Sequence, residues 1–163
     1  MLPADWLKAD LKQLAPRSEV FVETFYERLF SHAPDLRQKL AGAEMVERGL
    51  LMFHALGLVL SRIDEIDDLE PVLKGLGKRH LRYGVRREHH PILLEGILAT
   101  LRELIGENFS REREREWKRA LQTVSNRMIS GLDPGSTIDH SAAAKANLAA
   151  QADRTGNRVS ALD

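Results

Sequence analysis

Three side chains in this sequence are of types that do chemistry, yet they sit where apolar residues are expected. Leu69, Leu73, Leu76 and His80 fall at i, i+4, i+7 and i+11, one stripe of a helix, so the imidazole of His80 is offered to the apolar interior. Such a histidine is either a core residue satisfied by a hydrogen bond or a ligand for something bound there, and the stripe alone does not choose. Arg48 lies three residues after Met45 and four before Met52, also on an apolar stripe. It must find counter-charge or lay its stem over the core and reach water, because burying an unpaired cation is costly. Tyr26 shares an inner face with Val22, Phe25, Leu29 and Phe30. Its phenol either donates to something bound or reaches a backbone group as a core aromatic does.

The elements that position these residues are helices throughout, since no stretch shows sustained period-two alternation rich in β-branched residues. The spacing predicts a short helix from Ala4 to Leu14, and a second from Ser18 to Ser31 with Ser18 as its N-cap. Ala33-Pro34 separates that helix from a short one ending at Leu40 and Ala41-Gly42. A long helix over Glu44 to Ile63 has Met45, Met52, Leu56, Val59 and Ile63 inward and carries Arg48. Asp67 or Asp68 is expected to cap the helix of His80, which ends near Tyr83-Gly84 with glycine free to turn left-handed. His90-Pro91 opens a helix to Ile105 that is apolar nearly all round and therefore central. Ser110 is the expected cap of a last helix from Arg111 to Leu132, with Trp117, Leu121, Val124, Met128 and Leu132 inward and its first charged turns solvated.

Composition narrows the class. The 163 residues suit one domain, and 43 % hydrophobic with 29 % charged residues describes an ordinary globular protein. Lys+Arg and Asp+Glu both total 24, a balance that recommends neither nucleic acid nor an anionic membrane as partner. Cysteine is absent, so disulfides, thiolate metal sites and cysteine nucleophiles are excluded. The opening residues lack a signal-peptide pattern and no run is long and apolar enough to span a bilayer, so the expectation is a cytoplasmic protein. Residues 1–135 are expected to form the folded domain, with 136–163 a mobile, polar, Ala-rich tail.

Seven helical segments, Thr24-Phe25-Tyr26-Glu27-Arg28-Leu29-Phe30 with Ala33-Pro34-Asp35-Leu36, Leu73-Lys74-Gly75-Leu76-Gly77-Lys78-Arg79-His80 with Tyr83-Gly84-Val85, His90-Pro91-Ile92, and Trp117-Lys118-Arg119-Ala120 together resemble the globin family. The match is nearest to bacterial single-domain haemoglobins, the haem domains of flavohaemoglobins and neuroglobin-like chains. It covers about residues 5 to 132. The resemblance implies an all-α globin fold, about seven helices around a haem pocket, holding haem b (iron protoporphyrin).

By that resemblance His80 is the proximal histidine and the iron ligand, its other nitrogen donating to a carbonyl near Leu76. Tyr26 matches the distal tyrosine, whose phenol would donate to a bound diatomic gas. Arg48 stands where the family has a distal histidine or glutamine, facing a haem propionate or the ligand. Met52 matches the apolar residue crowding the distal side, while Val85 and Leu93 match haem-lining positions. Arg79 and Arg86 flank the proximal histidine, and either could meet a propionate. His90 takes the place of an aromatic residue near the proximal side. A zinc site from His89 and His90 would need further ligands that the sequence does not supply. His32 and His54 are read as surface or helix-packing residues.

Two departures bear on function. Leu40 replaces a nearly universal phenylalanine that wedges against haem. Leu132 aligns with the glutamate that supports the proximal histidine in flavohaemoglobins, so the imidazole here should be less basic. The first functional expectation is a carrier, scavenger or sensor of oxygen or another diatomic gas, with no catalytic residue assigned. The second is oxidation of nitric oxide to nitrate, which needs a separate reductase because the sequence contains no flavin or nicotinamide domain. The third is a haem-free interaction or signalling module, motivated by Leu40 and Arg48. A homodimer is a further option on which the sequence offers no evidence.

Overall fold

The computed structural model describes residues 3–130. Seven α-helices follow one another: α1 (Pro3–Leu14), α2 (Ser18–His32), α3 (Pro34–Leu40), α4 (Met45–Ser61), α5 (Glu70–Arg82), α6 (His90–Ile105) and α7 (Arg111–Ser130). Tighter 3-10 turns occupy Ala15–Arg17, Ile63–Leu69, Arg87–His89 and Gly106–Asn108, and no strand occurs among the described residues. The expected tail, the domain boundary at 135, Leu132 and His140 all lie outside the described residues.

Helix starts are where local reading needs correcting. Ser18 is the first residue of α2 rather than its cap, because the 3-10 turn of Ala15–Arg17 runs straight into the helix and Arg17 takes the cap position without a side-chain bond. Neither Asp67 nor Asp68 caps α5. The turn Ile63–Leu69 again feeds the helix directly, and Asp67 instead pairs with Arg127 at 2.5 Å. Ser110 does cap α7, its Oγ accepting from the Arg113 amide at 3.2 Å. Gly84 and Gly106 end their helices at φ +81° and +70°, the left-handed region that glycine enters without a Cβ clash.

Helix α6 is central, packing on α2 and α7 and burying Ile97, Leu98 and Leu101. Helix α5 lies on α7, where Gly77 is required: a Cβ there would stand 2.3 Å from the Met128 carbonyl oxygen. Helices α4 and α2 meet through Gly49, whose added Cβ would collide with Val22 at 2.3 Å and the Tyr26 ring at 2.9 Å. The face of α4 that enters the core is therefore Gly49, Phe53, Val59 and Leu60, with Phe53 edge-on to Phe21 at 5.1 Å. Of the expected inner face Val59 is buried, while Met45, Met52, Leu56 and Ile63 are half-buried and pack against the core from its edge.

α4 packs on α1 and α2, and α5 packs on α7, with at most marginal contact between α4 and α5. The half-buried apolar side chains of the two helices pack against the common core.

The charged start of α7 is only partly solvated. Arg111, Glu112 and Arg115 are exposed, but Glu114 pairs with Arg102, and Arg113 reaches back 3.4 Å to Asp10 of α1. Asp10 is fully buried and accepts from the indole Nε1 of Trp117 at 2.8 Å, fastening the first helix to the last.

Candidate functional site

His80 sits two residues before the end of α5, half-buried, with Nδ1 donating to the Leu76 carbonyl at 2.7 Å. Fixing the proton on Nδ1 leaves the Nε2 lone pair outward, and Nε2 makes no hydrogen bond among the described residues and is not sealed inside the protein. Burial, against the opposing Leu76 bond, holds the imidazole below its usual pKa, so the ring is neutral at neutral pH. A neutral, oriented imidazole with one free lone pair is the donor a transition metal takes.

Leu69 and Leu73 of the leucine stripe are buried, while Leu76, nearer His80, is half-buried against the core. Val85 is buried beyond the Gly84 turn, its amide donating to the His80 carbonyl at 3.0 Å. Leu93, on the first turns of α6, and Met52, on α4, are half-buried against the common core. Leu40 is buried at the end of α3. Arg79 and Arg86 flank the histidine, half-buried and exposed respectively.

Tyr26 is buried on α2, stacked on Phe30 at 5.5 Å and tilted against Phe25 at 5.5 Å. Burial raises its phenol pKa, only partly offset by Arg48, so the hydroxyl stays protonated and able to donate. Arg48 comes from α4 with its guanidinium 4.6 Å over the Tyr83 ring, Nη1 donating to the Leu40 carbonyl at 3.3 Å and Nη2 3.6 Å from Glu44. It thereby joins the ends of α3 and α5 to α4. Both of the ways out that the sequence offered are used at once, since the stem is packed and the head finds partners, though none of them is a buried counter-charge.

The structure brings Tyr26, Arg48, Tyr83 and Leu40 near one another, and His80, Leu76 and Val85 near one another, with Tyr83 next to both sets. Tyr83 was not singled out from the sequence, where an aromatic beside a terminal glycine reads as helix-end packing. Its exposure and its arginine partner appear only when α4 and α5 are seen in place. Ser125 was missed as well. It bonds Nδ1 of His90 at 3.0 Å, while the buried Nε2 of His90 has no partner. The His90 ring lies 6.1 Å from that of His80, tilted by 36°, and burial lowers its pKa to about 4.

His89 and His90 do not form a metal pair. Nδ1 of His89 accepts from the Arg86 amide at 2.9 Å, which puts its proton on Nε2, 3.1 Å from Asp35. No cluster of three or more metal-ligating side chains occurs among the described residues. His32 and His54 are exposed, each bonded to the carbonyl four residues earlier. No helix among the described residues is long and apolar enough to cross a membrane.

The globin family model matches residues 23–128. A flavohemoprotein of Chromobacterium violaceum is 29 % identical over 133 residues, covering 79 % of this chain and 32 % of that protein. One of Rhizobium meliloti is 28 % identical over 131 residues, with the same coverage. The chain thus spans about a third of the length of these relatives. A bacterial globin of Campylobacter jejuni superposes with TM-score 0.71 at 18 % identity, covering 79 % of this chain and 93 % of the other. An engineered carbene transferase from Rhodothermus marinus gives 0.67 at 22 %, covering 90 % and 96 %. At those identities the two structures speak for the fold.

Proposed function

The chain belongs to the globin family, and on that premise we propose that it binds haem b through His80 and takes up dioxygen or another diatomic gas on the opposite face. One observation carries the proposal: an imidazole neutralised by burial, with Nδ1 committed to Leu76 and Nε2 unbonded, on a helix that makes at most marginal contact with α4. The donor set fits the group. A globin-type haem needs one neutral axial imidazole and apolar walls, and Leu76, Val85, Leu93, Met52 and Leu40 supply the walls. When bound, haem iron supplies reversible coordination of a diatomic gas.

The chain's own residues would do the rest. His80 orients the iron by the fixed direction of its lone pair. Tyr26, protonated and buried, holds a proton where an electron-rich ligand would accept it, a bond of about 1–3 kcal/mol. Arg48 would keep positive charge near the ligand, and Arg79 would meet a propionate. Because Arg48 already has protein partners, a propionate would have to share it or displace Tyr83.

Expression with ample haem, followed by an absorption spectrum, tests this directly. A Soret band that His80→Gly removes, and added imidazole restores, is the expected result. A wild-type protein without the band would leave the haem-free interaction module, which the internal partners of Arg48 favour. Nitric oxide oxidation is the second haem reading, supported by the likeness to flavohemoproteins, and it requires a supply of electrons.

A further inference from the structure

Helix α4 buries Gly49, Phe53, Val59 and Leu60 and turns its opposite side outward. Along that outer side Glu47, Leu51, His54 and Leu58 fall at i, i+4, i+7 and i+11, and Arg62 follows at i+15 just past the helix end, so the five form one stripe. All five are exposed. Leu58 is 57 % exposed, the most of any large apolar side chain among the described residues, and Leu51 is 47 % exposed. Gly57 lies at the edge of the stripe, and a Cβ added there would meet nothing within 4 Å, so the helix surface is open to close approach. Glu47 makes no ion pair among the described residues. Arg62, at the other end, pairs with Glu65 at 2.8 Å.

We propose that this stripe is the contact face of a homodimer, in which α4 packs antiparallel on α4 of a second copy about a twofold axis between His54 and Ala55. A twofold contact needs a patch that is complementary to itself, and this one is. Leu51 and Leu58 are equally far from the axis, so Leu51 of each copy meets Leu58 of the other. Glu47 and Arg62 are also equally far from it, so opposite charges meet at both ends. A partner surface of one charge sign would suit one end of the stripe and oppose the other, which favours a second copy over a polyanion or an acidic protein. Glu44 and Glu65 would come opposite each other as well, but each is already held by an arginine of its own chain, Arg48 at 3.6 Å and Arg62 at 2.8 Å. Met52 and Leu56 project from another side of α4, so the pairing does not depend on the haem reading. One helix pair buries an area at the small end of specific interfaces, and the dimer is accordingly weak and reversible.

Sedimentation equilibrium of the full chain at low salt, from about 10 μM to about 1 mM, should show a reversible mixture of monomer and dimer. Leu58→Glu should remain monomeric across that range, with the helical circular dichroism spectrum of wild type. Glu47→Arg and Arg62→Glu change exposed side chains and bring like charges together at both ends, so each should dimerise about tenfold more weakly than wild type. Mixed in equal amounts, these two variants should regain the dimer, because every end contact between unlike chains then joins opposite signs. A wild type that stays monomeric at about 1 mM overturns the proposal. So does a dimer that Leu58→Glu leaves intact, or a mixture of the two charge variants that associates no better than either alone, since both results put self-association on another face.

Discussion

The guanidinium of Arg48 lies 4.6 Å over the ring of Tyr83, so a residue of α4 and a residue just past α5 touch. Contacts of this kind are worth about 0.5–2 kcal/mol. Tyr83→Leu should therefore speed haemin uptake by the haem-free protein about fivefold, and Tyr83→Phe, which keeps the ring, should not. Stopped-flow Soret absorbance measures both.

On the proposed reading Tyr26 donates to the bound gas. Replacing it with phenylalanine removes a bond of about 1–3 kcal/mol, so oxygen should leave about ten- to a hundredfold faster in flash photolysis or oxygen-scavenging traces. An unchanged dissociation rate would remove Tyr26 from the ligand's surroundings.

Asp10 buries a carboxylate to hold Trp117 and Arg113. Asp10→Ala leaves the indole N–H without an acceptor and should cost about 1–3 kcal/mol in urea unfolding. Burial, partly offset by Trp117 and Arg113, raises the carboxyl pKa above 3.8. The folded state therefore holds its proton longer than the unfolded chain does. The contribution of this group is most favourable in acid and diminishes as pH rises through the folded pKa, and Asp10→Asn should abolish that slope.

His90 has the opposite sign. Its folded pKa is lowered from 6.5 to about 4, so the unfolded chain takes up a proton first as pH falls. Stability of the haem-free protein is fully retained above 6.5 and is lost as pH drops towards 4, about 3 kcal/mol from this group alone at 1.36 kcal/mol per unit. His90→Phe should flatten that loss when urea midpoints are compared across the range.

Periodicity made the helices legible because each is amphipathic over several turns. His90–Ile105 came out residue for residue, and the glycines at 84 and 106 announced their turns. The starts of α2 and α5 did not, because a 3-10 turn running into a helix leaves no cap for a serine or aspartate to fill. The stripe containing His80 was legible for the same periodic reason. Arg48 was visible as an anomaly, but its partners were not: Leu40, Glu44 and Tyr83 come from three different places in the chain. The buried face of α4 was legible only in part: Val59 is buried as expected, but Gly49, with no side chain to score as apolar, is where that helix meets Val22 and Tyr26. Asp10, Trp117 and Arg113 illustrate the general difficulty. A polar group in a first helix gives no local sign that its partner lies 107 residues away.

Gly77 lets α5 rest backbone to backbone on α7, and Asp35–His89 and Lys39–Gly84 tie α3 to the corner just beyond α5. Among the described residues α4 meets the end of α5 through Arg48 over Tyr83. On the proposed haem reading, the histidine side is therefore the fixed jamb, and α4 is the leaf expected to give when a flat group enters.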